Sequence, residues 1–381
     1  MRPITLNPNA ASYKKEQQLA RLVVEKQEGG EDQRPTKRRR VEVGGKLDEL
    51  NTLLAAHWDP GQQWDSDANR QKAKLLRTKI GAGYEDAARS LISQTGQYCA
   101  YCDVPVFSDL RAAPILPPRW FPAQAFDFDN QLLTCPSCRG VKGENPPRTD
   151  GAADALRDST HLAWPHLFAH GLPDGALLPF RYDLVQLRWN GGEPTVVQLI
   201  GQDEIDRLLR YYRLGYVRVE RADRSKHGQV LVWPPGSDPD EDLERDESQL
   251  PLPEPIAVGV WLSPTSTGRP VEAGVQRLID LLRLNTIAGG GRGDALDRRL
   301  ELRTLAYFKA LDMRDRILTI LALGDTGQYP DLLKRMLELW RSTIQATGFW
   351  GVWLSVFRDV PDIQSVLTAL LPGTAPRTWV L

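Results

Sequence analysis

Two Cys-x-x-Cys pairs constrain this chain more than any other feature of its sequence. Cys99 pairs with Cys102 and Cys135 with Cys138, 32 residues separate the two pairs, and they contain all four cysteines of the 381-residue chain. Thiolates that flank two residues can bind one metal ion together, and two such pairs complete the tetrahedral shell that zinc prefers. The spacing therefore predicts that these four cysteines hold one Zn²⁺.

Four sulfur ligands leave no coordination position for water, so the predicted zinc is structural and not catalytic. Two alternatives are less consistent with the pattern. Unrelated free thiols would not be expected to fall into two spaced pairs, and a redox Cys-x-x-Cys is expected in a thioredoxin-like βαβ unit, which surrounds neither pair. Cysteines confined to one short segment are also typical of a reducing compartment, because secreted chains more often distribute theirs as distant disulfides.

The composition is that of an ordinary globular protein, with 41% hydrophobic and 25% charged residues. The formal net charge of −1 comes from 48 basic and 49 acidic residues, so the whole molecule has no field that attracts a polyanion. No apolar run approaches the roughly 18 residues of a membrane span. Because the first residues also lack the apolar core of a secretory signal, we expect a cytoplasmic protein that does not associate with membranes.

Composition and periodicity divide the chain into five segments of an α+β protein. They are a flexible basic arm at 1–45, a helical lead-in plus the zinc-binding domain at 46–150, a mixed α/β extension at 151–233, an acidic Pro-rich linker at 234–256, and a helical C-terminal domain at 257–381. The arm contains the run Lys37-Arg38-Arg39-Arg40, and the linker combines many carboxylates with prolines. Neither composition can bury a core.

The spacing of apolar residues also places individual elements. Apolar residues from Tyr84 to Ile92 recur on one helical face, and Gly96 is expected to end that helix. Strands are predicted at 195–200 and 229–233, with a helix at 203–214 between them, and helical stripes begin near Val271, Leu296 and Leu332. We expect the proline-rich segment 105–125 to be irregular, and the aromatic run at 348–353 to lie in the core.

The residues around the cysteines resemble those of bacterial HNH endonucleases that carry a four-cysteine zinc. Gly96-Gln97-Tyr98-Cys99-Ala100-Tyr101-Cys102 resembles the opening of that domain, and the segment 126–143, FDFDNQLLTCPSCRGVKG, resembles its second half. Shorter matches connect the chain to HNH proteins of phage-defence operons, including relatives of the nuclease subunit of Septu systems. These matches are at 1–4, 163–165, 178–182, 348–353 and 372–374.

The resemblance implies a zinc-stapled ββα core, also called a His-Me finger, within an α+β fold. In this family a histidine acts as general base on the attacking water, and further side chains hold Mg²⁺ against the scissile phosphate. The family also implies DNA or another nucleic acid as the partner. An ATPase subunit encoded in the same defence operon is a further partner that the resemblance implies.

The chain departs from the family at the active site. The family's base histidine lies between the cysteine pairs, but this chain has Leu110-Arg111-Ala112-Ala113-Pro114 there and no histidine between Cys102 and Cys135. Asn130 matches the middle asparagine of the motif. Arg139 stands where the family has the asparagine after the last cysteine, and a guanidinium cannot lose a proton to bind Mg²⁺.

Two classes of function follow from these departures. The favoured hypothesis is a pseudo-nuclease that binds nucleic acid or assembles a complex, with phosphate contacts from Arg139, Lys142, Arg119, Arg111 and Arg148. The alternative is an active endonuclease that uses Mg²⁺ and a relocated base, for which His161, His166 and His170 are the candidates. A third possibility, a pure assembly module, would show no salt-sensitive DNA binding.

Overall fold

A computed structural model describes the chain in separate stretches. They are residues 87–106, 108–115, 128–142, 180–190, 193–220, 229–233, 254–265, 271–285, 298–322, 329–360, 363, 366 and 367. Several predictions fall outside these stretches: the basic arm, most of the acidic linker, the phosphate contacts of Arg119 and Arg148, and the relocated base at His161, His166 or His170.

The described residues form helices and two antiparallel sheets, which confirms the α+β class. The helices are α1 (residues 87–95), α2 (Pro136–Lys142), α3 (Gln202–Arg213), α4 (Val271–Leu281), α5 (Arg299–Ala322), α6 (Tyr329–Thr347) and α7 (Trp350–Val356). The strands are β1 (Arg111–Pro114), β2 (Gln131–Thr134), β3 (Phe180–Asn190), β4 (Glu193–Leu199), β5 (Val217–Glu220), β6 (Gln229–Val232) and β7 (Ile256–Pro264). One turn of 3-10 helix, Phe128–Asn130, precedes β2.

The larger sheet has the strand order β4-β3-β7-β6-β5, and every neighbouring pair is antiparallel. Its central strand, β7, lies at the start of the segment predicted as a helical C-terminal domain, ahead of the first predicted helical stripe near Val271. Val258, Val260 and Leu262 are 2%, 0% and 3% exposed, because alternate residues of a strand face the same side. The period of two that identifies β7 was thus present in the sequence.

Other predicted elements are confirmed within a few residues. The helix predicted at 203–214 is α3, and the strands predicted at 195–200 and 229–233 are β4 and β6. Beyond β7, the three predicted helical stripes are α4, α5 and α6. Helix α5 packs against β7, β6, α3, α6 and α7, so this long helix is the element around which the C-terminal half is arranged.

The smaller sheet pairs β1 with β2 in antiparallel register, with Arg111 opposite Thr134 and Pro114 opposite Gln131. The expectation of an irregular segment at 105–125 is therefore wrong at β1. On the far side of β2, the Leu133 carbonyl accepts a hydrogen bond from the Ala100 N–H at 2.8 Å. By the alternation of an antiparallel ladder, the nitrogen of Pro114 then points away from β2, so proline removes no ladder bond there.

One cluster of buried side chains links segments that are distant in sequence. It contains the four cysteines, residues of the larger sheet such as Phe180 and Val260, and residues of the C-terminal helices such as Phe308 and Trp353. The predicted domain boundaries stay predictions, but the described parts of these segments share this cluster. Among the described helices, none is long and apolar enough to cross a membrane.

Candidate metal centre

The first cysteine pair lies on a tight turn just after α1. The Gly96 N–H donates to the Ile92 carbonyl at 2.9 Å, which ends α1 where the sequence predicts. Within the turn, the Cys99 N–H donates to the Val104 carbonyl at 3.0 Å and the Asp103 N–H donates to the Cys99 carbonyl at 2.9 Å. These bonds fold residues 99–104 into a loop that brings Cys99 and Cys102 to the same place.

The second pair lies at the start of α2. Cys135 follows β2 directly and Cys138 lies in the first turn of the helix, where its N–H donates to Cys135 Sγ at 3.4 Å. The Ala100–Leu133 backbone bond holds the first turn beside β2. The β1–β2 hairpin and the start of α2 therefore place the second cysteine pair next to the first.

The four sulfur atoms form one compact cluster. All lie within 4.8 Å of one another, and Cys102 Sγ is 3.8 Å from Cys135 Sγ. Zn–S bonds of about 2.3 Å in a tetrahedron place sulfurs about 3.8 Å apart, so the donor set and its dimensions fit a zinc ion. The four side chains are at most 6% exposed, so a metal held there would be shielded from solvent.

The surroundings of the sulfurs shift the pKa values of the cysteine thiols in different directions. Burial raises the pKa of the Cys102 thiol well above its ordinary value, whereas the hydrogen bond from Cys102 holds the pKa of Cys135 well below it. The pKa of the adjacent Tyr101 is also raised, first by burial and then by the charge of Cys99 and Cys138. Metal binding requires thiolates, so a cation that enters this cluster displaces the protons held there.

The junction between α6 and α7 docks on the first cysteine turn. Asp103 accepts the Phe349 N–H at its carbonyl (2.9 Å) and the Gly351 N–H at Oδ2 (3.3 Å). Tyr98 donates its hydroxyl to the Gln345 carbonyl at 2.8 Å and packs edge-on against Trp350. Phe349, Trp350 and Trp353 are at most 2% exposed, which confirms that these aromatics belong to the core.

The helical half also reaches the cysteines through Arg299, which sequence reasoning missed. The Arg299 side chain donates from Nη1 to Cys138 Sγ at 3.4 Å, although 161 positions separate the two residues. The residue is 4% exposed. No local pattern around Arg299 signals this contact, because it is created by the docking of α5.

The remaining HNH-like position, Asn130, lies at the end of the 3-10 turn and is 6% exposed. Its carbonyl accepts the Ile115 N–H at 2.8 Å, which closes the hairpin. Ala112 and Ala113, in the segment where the family carries its base, are buried. The segment that carries the base in the family therefore has buried alanines here, and the sequence has no histidine between the cysteine pairs.

The predicted phosphate-binding residues differ in their surroundings. The Arg139 side chain is 31% exposed and pairs with Asp109 at 2.9 Å, while Arg111 is 68% exposed and pairs with the same carboxylate at 2.8 Å. The bond from Arg139 is the main reason that the pKa of Asp109 is lowered. Lys142 is 3% exposed and donates from Nζ to the Pro114 carbonyl at 2.9 Å, so its amine is directed into the protein.

Comparisons with protein-family models, with curated proteins and with solved structures gave no match to this chain. The functional interpretation therefore rests on the residues of the site.

Proposed function

We propose that the chain is a pseudo-nuclease: an HNH-like module stapled by one structural Zn²⁺ that has lost its catalytic base. Its role would be nucleic-acid binding or complex assembly in phage defence. The observation that carries the proposal is the order of elements. The β1–β2 hairpin lies between the two cysteine pairs, α2 follows it, and all four sulfurs meet within 4.8 Å. That order is the one the HNH resemblance implies.

Loss of catalysis is supported by the chemistry of the residues present. Four thiolates fill a tetrahedral shell, so a zinc bound by them offers no position for water. General-base catalysis requires a side chain within hydrogen-bond reach of the attacking water. The hairpin presents Ala112, Ala113 and Pro114 in the segment where the family has histidine, and Arg139 is held by Asp109.

The contacts of the cations favour an assembly role over extensive phosphate binding. Lys142 is buried, and Arg111 and Arg139 share the carboxylate of Asp109, which partly cancels their charge. The same module is held by backbone bonds from the C-terminal helices through Asp103. Its partner in assembly would be the ATPase subunit that the resemblance implies. An active enzyme with Mg²⁺ and a base at His161, His166 or His170 is the competing proposal.

The first test is plasmid nicking, and we expect no detectable cleavage with Mg²⁺ or Mn²⁺. Loss of a general base alone typically lowers rates by roughly 10²–10⁴-fold. The double variant Pro114→His with Arg139→Asn should regain weak activity. Position 114 is preferred to position 112 because Pro114 is only partly buried, whereas Ala112 is 4% exposed.

Robust metal-dependent nicking by the natural chain would contradict the proposal if His161→Ala or His166→Ala abolished it. In that case the base has moved, and the competing proposal of an active endonuclease is correct.

The second test is the salt dependence of DNA binding. If Arg111 and Arg139 contact phosphates, the double variant Arg111→Ala with Arg139→Ala should flatten the log–log slope by roughly two units, about 0.9 for each lost contact. Lys142→Met is the matched control, because it removes a cation that is buried against Pro114. It should lower stability and leave the slope unchanged. If the natural protein shows no salt-sensitive DNA binding, the nucleic-acid role is refuted and complex assembly remains as the proposed role of the module.

A further inference from the structure

Arg299 stands out because a buried guanidinium contacts a candidate metal ligand. Nη1 donates to Cys138 Sγ at 3.4 Å and to the Leu282 carbonyl at 2.9 Å, and Nη2 donates to the Arg283 carbonyl at 3.3 Å. Both carbonyls lie directly after the C-terminal end of α4. Arg299 therefore joins three elements: α5, the end of α4 and the cysteine cluster.

Arg303, one turn further along α5, is a second buried arginine with which Arg299 can be compared. It is 2% exposed, and it donates to the Val260 carbonyl at 2.8 Å, the Leu284 carbonyl at 2.9 Å and Asn285 Oδ1 at 3.2 Å. These partners are two backbone carbonyls and a side-chain amide oxygen. Both arginines lie on α5, are buried and donate to backbone carbonyls, and Arg299 in addition donates to Cys138 Sγ.

Charge explains why a cation belongs beside the sulfurs. Four thiolates around Zn²⁺ leave a net charge of −2 on the centre, and burying that charge is costly unless it is paired or hydrogen-bonded. A hydrogen bond from a guanidinium to a thiolate is charge-assisted, and such bonds are roughly twice as strong as neutral ones. Groups that contact metal ligands in this way also orient them.

We propose that Arg299 is a positioning residue of the metal centre. Its guanidinium neutralises part of the thiolate charge and couples metal binding to the docking of α5 and the end of α4. This role rests on the metal site of the proposed function. Because bound metal keeps Cys138 as a thiolate, the metal and the docked helix stabilise each other through this contact.

The experiment compares Arg299→Met with Arg303→Met in the full chain. Zinc affinity is measured by competition with a chromophoric chelator, and folding of each loaded variant is checked by circular dichroism. Loss of a group that contacts a metal ligand typically costs 10–100-fold in affinity. We expect Arg299→Met to bind zinc at least about tenfold more weakly than Arg303→Met, since both lose buried bonds and only the first loses the thiolate contact.

Replacing zinc by cobalt(II) provides a second measurement, the absorption spectrum of the metal centre, which a general loss of folding stability does not shift. A hydrogen bond to a thiolate lowers the energy of its lone pairs, so removing the bond should shift the sulfur-to-cobalt charge-transfer band to longer wavelength. We expect this shift in Arg299→Met and the natural spectrum in Arg303→Met. If Arg299→Met does not fold, Arg299→Gln and Arg303→Gln are compared instead, because glutamine keeps an amide donor for the carbonyls and removes the positive charge. The same difference is expected in affinity and spectrum.

Equal zinc affinities and identical cobalt spectra for the two variants would overturn the role of Arg299. Natural protein that takes up neither zinc nor cobalt would instead refute the metal site itself. The two failures are therefore distinguishable in the same experiment.

Discussion

Chelation of the metal should unfold the region around the cysteine pairs, and Cys138→Ser should do the same. Cys138 is fully buried and belongs to the same core cluster as Tyr101 and Leu132. Zinc binding to four-ligand finger peptides contributes about 10–16 kcal/mol near pH 7, and that energy is folding free energy. Because whole domains are stable by only about 5–15 kcal/mol, loss of the metal should remove most of the stability.

Two measurements check this expectation. Elemental analysis should find about one zinc per chain, because four thiolates complete one shell. Thermal melts with and without chelator should then differ by about ten degrees or more, since about 1 kcal/mol shifts the midpoint by roughly 2–4 °C for 150–250 residues and by less for a longer chain. Ser137→Ala is the matched control, because it lies between the ligands on α2 and carries no thiol. Metal-free protein with unchanged melting would refute the structural role.

Gly348→Ala should strongly destabilise the docking of the C-terminal helices. Gly348 has a φ of +69° at the end of α6, and a Cβ there would lie 2.5 Å from the Asp103 carbonyl oxygen and 2.5 Å from Pro105 Cδ. The left-handed conformation costs alanine about 1–2 kcal/mol. Overpacking adds about 1–3 kcal/mol. We expect a loss of about 2–5 kcal/mol in the free energy of unfolding.

Gly215→Ala is the matched control for the close approach. Gly215 also has a positive φ, +85°, but a Cβ there would meet no atom within 4 Å. Gly215→Ala should lower the free energy of unfolding only by the cost of placing alanine in the left-handed conformation, about 1–2 kcal/mol. Denaturant unfolding of the two variants gives the comparison. Equal losses would mean that α7 and the cysteine turn separate easily, and that the docking at Asp103 contributes little.

Local patterns explain which elements the sequence could predict. The helix α3 and the strand β6 were found because each shows its own apolar period within a few residues. The cysteine pairs were assigned as one cluster because a tetrahedral ion restricts ligand types and spacing. The prolines of 105–125 predict an irregular segment and so do not indicate β1, although an antiparallel strand tolerates proline at positions whose nitrogen points away from its partner.

Long-range contacts explain what the sequence could not predict. Lys142 follows the last cysteine and looks available to a phosphate, but its amine meets the Pro114 carbonyl once the hairpin and α2 pack together. Arg299 looks like any arginine at a helix start until α5 brings it to Cys138. Side-chain surroundings of this kind depend on residues far apart in the chain, and periodicity carries no information about them.

The sequence by itself determined that the four cysteines form one cluster, the α+β class and the absence of a histidine between the cysteine pairs. These depend on residue chemistry and on spacing over one or two turns. Only the tertiary structure decided that the C-terminal helices dock on the cysteine turn by hydrogen bonds to Asp103, and that Arg299 contacts Cys138 Sγ. Burial is the physical reason: the thiolates and Asp103 lie in the core, where polar groups need partners, and distant segments supply them.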